Sequence, residues 1–296
     1  MTIHRNGFQT PLLTRRGALG VLGGGVLAAG TLGASFAHAQ TPKRGGTLRI
    51  GEAEGGTSDS LDPTTYFTYN MYTVGFTLGN TLVELDANKQ PIPELADSWE
   101  GSKDAKRWVF KMRKGVEFHN GKTVTAADAV WSLNRHIAAD SKSAAKGFLA
   151  GVSSIRADGD NVIIEHETGD ADIPIIMGDY HLLIVPEGHD DWNNFVGSGA
   201  YVLDRFEPGV RFSATRNPNY WKPDRGWVDS VEMLFILDPT ARASALMTGE
   251  VDVIDRTDNM IVDRIKALNK FQIIESIGTA FHESVMDTRA APFDNA

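Results

Sequence analysis

His181 and His189 stand close in sequence to Asp179, Asp190 and Asp191, a mixture of imidazole and carboxylate that suits a divalent metal. None of the eight histidines falls in H-E-x-x-H or in another zinc spacing, so the expectation is a hydrated loop of mixed charges and no metal. Gly197-Ser198-Gly199 places a hydroxyl between two glycines. Phe195 and Val196 before it and Tyr201 after it break G-x-S-x-G, and Val202 stands where a dinucleotide loop needs its third glycine. The glycines better suit a tight turn close to a ligand or a neighbouring strand. The carboxylate pairs Glu165/Glu167 and Asp252/Asp255 fit solvated faces, and His119 supports the Asn120-Gly121 turn that follows it. No catalytic residue and no cofactor is expected.

Tyr66, Phe67, Tyr69 and Tyr72 crowd one stretch just after a polar, glycine-rich loop from Glu54 to Asp62. Aromatic walls with a few polar groups suit a small-molecule cleft. Packing of Tyr69, Tyr72 and Phe76 on a sheet accounts for the same pattern equally well.

The elements that must position these residues alternate between strand and helix. Thr47–Gly51 predicts a first strand, with Leu48 and Ile50 alternating against Thr47 and Arg49, and Tyr66–Leu85 predicts a helix. Asn88–Pro91 is a turn. Trp108, Phe110 and Met112 alternate in a half-buried strand, and Asn120-Gly121 predicts a two-residue type I′ hairpin. Thr125…Asp128 is a capping box opening a helix with Val130, Leu133 and Ile137 on one face. Asp158-Gly159 joins two strands with Val162 and Ile164 inward, and Pro174 marks a break before apolar Leu182–Val185. Alternation resumes at Phe212 and Ala214, then at Val231, Met233, Phe235 and Leu237. A helix over Pro239–Met247 ends at Gly249, a buried strand covers Val251–Ile254, a helix carries Val262, Ile265 and Leu268, and a last strand covers Phe271–Ile277. The expected class is an α/β core.

The chain of 296 residues is 42% hydrophobic, enough for a sizeable core. It has no cysteine, which excludes disulfides, thiolate metal sites, a cysteine nucleophile and a lipidated cysteine anchor. Residues 1–39 contain Arg5, Arg15 and Arg16 and no acid; an apolar run from Gly17 to Ala37 leads to Ala37-His38-Ala39. This predicts a signal peptide with a twin-arginine-like pair, cleaved after about Ala39, although Ala18 stands where that motif favours Phe. Without the three arginines, 26 basic side chains face 38 acidic ones, a formal charge of −12 that disfavours nucleic acid.

Several stretches, in order, resemble one family. They are Ser60-Leu-Asp-Pro63, Leu78–Glu84, Pro93–Trp99, Trp108–Gly121, Val124–Ser132, Gly197–Gly209 with Arg216-Asn-Pro-Asn-Tyr-Trp221, Gly249-Glu-Val-Asp252 and Ala291-Pro-Phe-Asp294. From about Gly45 onward the chain resembles extracytoplasmic solute-binding proteins of family 5, which serve peptide-, nickel- and opine-type ABC importers. The resemblance implies a type II periplasmic-binding-protein fold. Residues 40–88 and 196–277 would form the core of lobe I, 89–195 an inserted α+β subdomain, and 278–296 a crossover strand and the start of lobe II, most of which is expected to lie outside this sequence.

By the same resemblance the cleft face would involve Glu54, Tyr66, Phe67, Tyr69, Asn70, Tyr180, His181, Ser198, Gly199 and Tyr201. The implied function is capture of short peptides, or a related small ligand, for an ABC permease and its ATPase by a periplasmic monomer that is not an enzyme. A binder of opines, oligosaccharides or nickel chelates, or a sensory docking module, is the alternative on the same scaffold. A lone first lobe would bind peptides weakly, since it contributes only about half of an enclosing surface.

Overall fold

A computed structural model describes residues 42–275. The expected signal peptide and cleavage site, the residues at 276–277 of the last predicted strand, and the crossover at 278–296 lie outside the described residues.

In chain order the first half comprises β1 (Thr47–Glu52), α1 (Tyr69–Leu78), β2 (Val83–Leu85), β3 (Pro91–Pro93), β4 (Ala96–Gly101), β5 (Arg107–Met112), α2 (Ala126–Ile137), β6 (Val152–Asp158) and β7 (Asn161–His166). The second half comprises α3 (Ile173–Ile176), β8 (Tyr201–Glu207), β9 (Arg211–Arg216), β10 (Ser230–Phe235), α4 (Pro239–Thr248), β11 (Val253–Ile254) and α5 (Asn259–Ala267).

Two larger sheets result. The first has the order β11-β1-β10-β9-β8. Within it β1 runs parallel to both β10 and β11, with Ile50 opposite Met233 and Val253, while β8 and β9 add antiparallel strands. The second sheet is antiparallel, β4-β5-β7-β6, with α2 packed on it. The Thr125 hydroxyl and the Asp128 carboxylate close the predicted capping box of α2. Val162 and Ile164 are fully buried.

Each sheet has its own core. Phe110, Leu133, Val162 and Ile164 lie in one; Tyr66, Val74, Phe212 and Met233 lie in the other. The segment Leu182–Val185 stitches them together. Leu182 and Ile184 enter the first core, Leu183 and Val185 the second, and all four are at most 1% exposed. The segment forms no ladder. Its N–H groups go elsewhere: Leu182 to the Asp179 carbonyl and Ile184 to the Asn80 carbonyl, both at 2.9 Å, while the Ser132 Oγ accepts from the Val185 N–H at 3.1 Å and lies 3.2 Å from the Val185 carbonyl.

Five expectations change. The predicted helix over 66–85 shrinks to α1, because the Leu78 carbonyl accepts the Gly199 N–H at 3.0 Å and the chain then leaves helical geometry at Gly79. Asn120-Gly121 is not a two-residue type I′ hairpin, since only Gly121 has positive φ. The turn closes through Phe118 N–H to the Lys122 carbonyl, a three-residue loop with its glycine last. Leu237 lies beyond β10 and is exposed. The Val251–Ile254 strand is a two-residue edge with Val253 exposed. Residues 271–275 are not a strand.

Candidate functional site

The carboxyl ends of β1, β10 and β11 open on the same side of the first sheet, because the three strands are parallel. Crevices outside the carboxyl ends of parallel strands are where α/β sheets bind ligands. β1 delivers Glu52 and Glu54 to that edge, and β11 delivers Asp255 and Arg256.

Glu54 anchors the aromatic stretch. One carboxylate oxygen accepts the Tyr69 N–H at 2.9 Å, and the other pairs with Arg256. The Arg256 guanidinium lies over the Tyr69 ring, 4.2 Å from its centroid. Tyr72 packs edge-on against Tyr180 at 5.4 Å and against Phe76 at 5.0 Å. Phe67, Tyr69 and Tyr72 are 84%, 56% and 48% exposed, three large rings within six residues of chain. Burial, followed by Asp179, pushes the Tyr72 hydroxyl pKa up; Tyr180 rises through burial, then Asp179, Tyr69 and Glu54. Glu54, Tyr69, Tyr72, Asp179 and Tyr180 therefore share one neighbourhood.

Beneath this face Glu52 is 4% exposed. Burial first, and then Asp255, raises its pKa to about 7, partly offset by a hydrogen bond from Thr73. Asp255 is raised as well, chiefly by burial, although one oxygen accepts the Ala53 N–H at 2.7 Å. Arg242, itself buried, donates to the carbonyls of Ile236 and Arg256 at 2.6 and 3.2 Å and so ties the ends of β10 and β11 together.

The other expected site residues point inward. Tyr66 is 1% exposed, stacks on Tyr180 and has its hydroxyl pKa pushed up by burial. Asn70 is fully buried and donates to Asp59 at 2.7 Å; its Oδ1 has no partner among the described residues. His181 is buried beneath Tyr180 rather than in a hydrated loop. Its Nδ1 is 2.5 Å from Asp179 and its Nε2 is 3.0 Å from the Tyr66 carbonyl. Among the described residues no three His, Asp or Glu side chains cluster as metal ligands.

Ser198, Gly199 and Tyr201 belong to the interior. The Ser198 hydroxyl donates to Asn80 at 3.0 Å, and the Asn80 amide donates to Glu94. Glu94 and Glu84 share Lys222. Burial raises the Glu94 pKa to about 7 against the pull of Lys222. The glycines serve close approach to a helix end: a Cβ on Gly197 would lie 2.1 Å from the Leu78 oxygen, and one on Gly199 would lie 2.4 Å from its carbonyl carbon. Asn217 of the Arg216–Trp221 motif donates to the Gly199 carbonyl at 3.1 Å, and Trp221 lies under Arg113 and Lys222. These motifs clamp the two sheets together.

The cleft face that the resemblance implies leaves out Arg256, Glu52 and Tyr72, although Tyr72 belongs to the aromatic stretch that the sequence singles out. The signal for the first two was present: each closes or follows a segment that reads as a strand, at its carboxyl end.

The fold is that of periplasmic binding proteins. The solved structure of the PBP AgaA in complex with agropinic acid, from A. tumefaciens R10, matches with a TM-score of 0.70 at 29% identity, over 75% of this chain and 46% of that one. Residues 90–296 match the bacterial extracellular solute-binding proteins, family 5 Middle, and the chain belongs to that family. The periplasmic oligopeptide-binding protein OppA of Haemophilus influenzae is 25% identical over 256 residues, covering 75% of this chain and 46% of OppA. The heme-binding protein A of the same organism is 28% identical over 246 residues, covering 73% and 45%. The chain spans about half the length of these relatives.

Proposed function

We propose that this chain forms the first lobe of an extracytoplasmic solute-binding subunit of an ABC importer, which captures short peptides and hands them to a membrane permease coupled to its ATPase. Residues 40–88 and 196–277 form the lobe core, 89–195 the inserted subdomain, and 278–296 lead to a second lobe. Residues 1–39 direct export to the periplasm, where the protein works as a monomer, by binding and not by catalysis.

The observation that carries this reading is the exposed aromatic face of Phe67, Tyr69 and Tyr72 beside Glu54, at the carboxyl edge of the parallel strands. Flat rings with fixed polar neighbours give a ligand apolar contact area and orientation together. A ligand bound only by the folded state raises the unfolding temperature, so a mixture of short peptides should stabilise the protein. No shift with peptides, opines, oligosaccharides or nickel chelates would count against binding of this class. The agropinic acid named for the AgaA structure, at 29% identity, favours a second reading in which the ligand is an opine-like acid. An opine that raises the unfolding temperature where peptides do not would select it.

A further inference from the structure

We propose that the Tyr69 face is a subsite for a cationic ligand group, a guanidinium or an ammonium, and that the side chain of Arg256 competes for it. The proposal rests on the small-ligand reading above and names the chemistry that this part of the face selects.

A ring face next to a fixed carboxylate recognises cations, because the ring quadrupole and the carboxylate attract the same charge. Here both parts are locked together. Glu54 holds the Tyr69 N–H with one oxygen at 2.9 Å, which fixes the carboxylate relative to the start of α1. Its other oxygen pairs with Arg256, whose guanidinium lies 4.2 Å from the Tyr69 ring centroid. The surface thus already accommodates a planar cation supplied by the chain itself.

Arg256 holds that place weakly. Its backbone φ is 44°, in the left-handed region that side-chain-bearing residues rarely adopt. Its side chain is 42% exposed, and exposed ion pairs contribute little. Among the described residues its only polar side-chain contact is Glu54. Its carbonyl is fixed independently, by Arg242 at 3.2 Å, so the side chain can swing away while the loop stays in place.

The surroundings favour a cation over an anion. Asp179 adjoins Tyr72 and Tyr180, and Asp59 lies on the loop behind them. Of the other arginines, Arg242 is buried and committed to the carbonyls of Ile236 and Arg256, and Arg135 is taken by Asp62 at 2.7 Å and by the rings of Trp131 and Trp192. A ligand carboxylate reaching for Arg256 would have to displace Glu54 while lying beside it.

The test compares the tripeptide Ala-Arg-Ala with its citrulline counterpart, which keeps the shape and loses the charge. Both are titrated by NMR into the full-length protein and two variants. Arg256→Gly removes the competitor and suits the local φ; Tyr69→Leu removes the ring face and keeps apolar bulk. The arginine peptide should bind the parent chain about three- to tenfold more tightly than the citrulline peptide. Arg256→Gly should tighten the arginine peptide by a further factor of about three or more and leave the citrulline peptide unchanged. Tyr69→Leu should erase the difference. Arg256→Gln repeats the competitor test if the glycine variant misfolds by circular dichroism. Weaker or unchanged arginine-peptide binding in the Arg256 variants overturns the proposal. Equal binding of the two peptides to the parent chain overturns the subsite and leaves the small-ligand reading standing; binding of neither overturns both.

Discussion

His119 Nε2 lies 3.2 Å from the Gly199 carbonyl, while the Nδ1 of the same ring faces the Gly197 N–H at 3.4 Å. Those contacts require a neutral ring with its proton on Nε2, and burial lowers the His119 pKa in the same sense. The histidine thereby joins the turn of the inserted region to the glycine motif, and the motif in turn rests on the end of α1.

Gly199→Ala should be among the most damaging single changes in the chain. Its Cβ would meet the Leu78 backbone at 2.4 Å, a clash that side-chain rotation cannot relieve. The expected loss is about 4 kcal/mol or more, read from urea unfolding. Gly188→Ala is the control: its φ is +80° but nothing lies within 4 Å, so it should cost only about 1–2 kcal/mol.

Lys222→Ala should cost about 1–3 kcal/mol, because it leaves Glu94 buried without its ammonium partner, and Glu94, whose pKa is already about 7, takes up a proton instead of staying charged. Combining Lys222→Met with Glu94→Gln should recover much of that loss, since the glutamine can keep the Asn80 contact without a charge. Recovery is measured as the difference in denaturation midpoint at constant slope.

Glu52 makes stability depend on pH in a direction opposite to most carboxylates. Its folded pKa, about 7, lies above the ordinary 4.5. Its contribution is therefore fully present below about 4.5 and is lost as pH rises through about 7, with a slope of at most about 1.4 kcal/mol per unit. His136 acts the other way. Burial lowers it to about 4, so stability is lost as pH falls from about 6.5 toward 4. The two offset each other in the parent protein. The expected signature is differential: Glu52→Gln should gain stability relative to the parent as pH rises from 5 to 8, and an unfolding series at several pH values reads it directly.

The α/β alternation, the capping box of α2 and the strands around Trp108 and Val162 were legible because they depend on local periodicity and caps. The end of α1 was not, because a carbonyl–amide contact with Gly199, more than a hundred residues away, sets it. The same holds at the candidate site. Phe67, Tyr69 and Glu54 announced themselves by type and crowding. Tyr66 and Ser198 carry equally suggestive side chains, yet long-range packing turns both inward. Arg256 escaped notice because its partner, Glu54, is brought alongside only by the parallel pairing of β1 with β11.

Leu182–Val185 sends alternate side chains into two different cores. Neither core can release this segment without opening the other, so the inserted region should not melt as an independent unit. Amide hydrogen exchange at Val185 and Ile184 should require the largest opening energy of the molecule, in step with the centres of both sheets. A separable early melting of residues 96–166 would contradict that coupling. Mechanically, the seam should make the two sheets move as a single body, so that a load applied to one face is felt on the other.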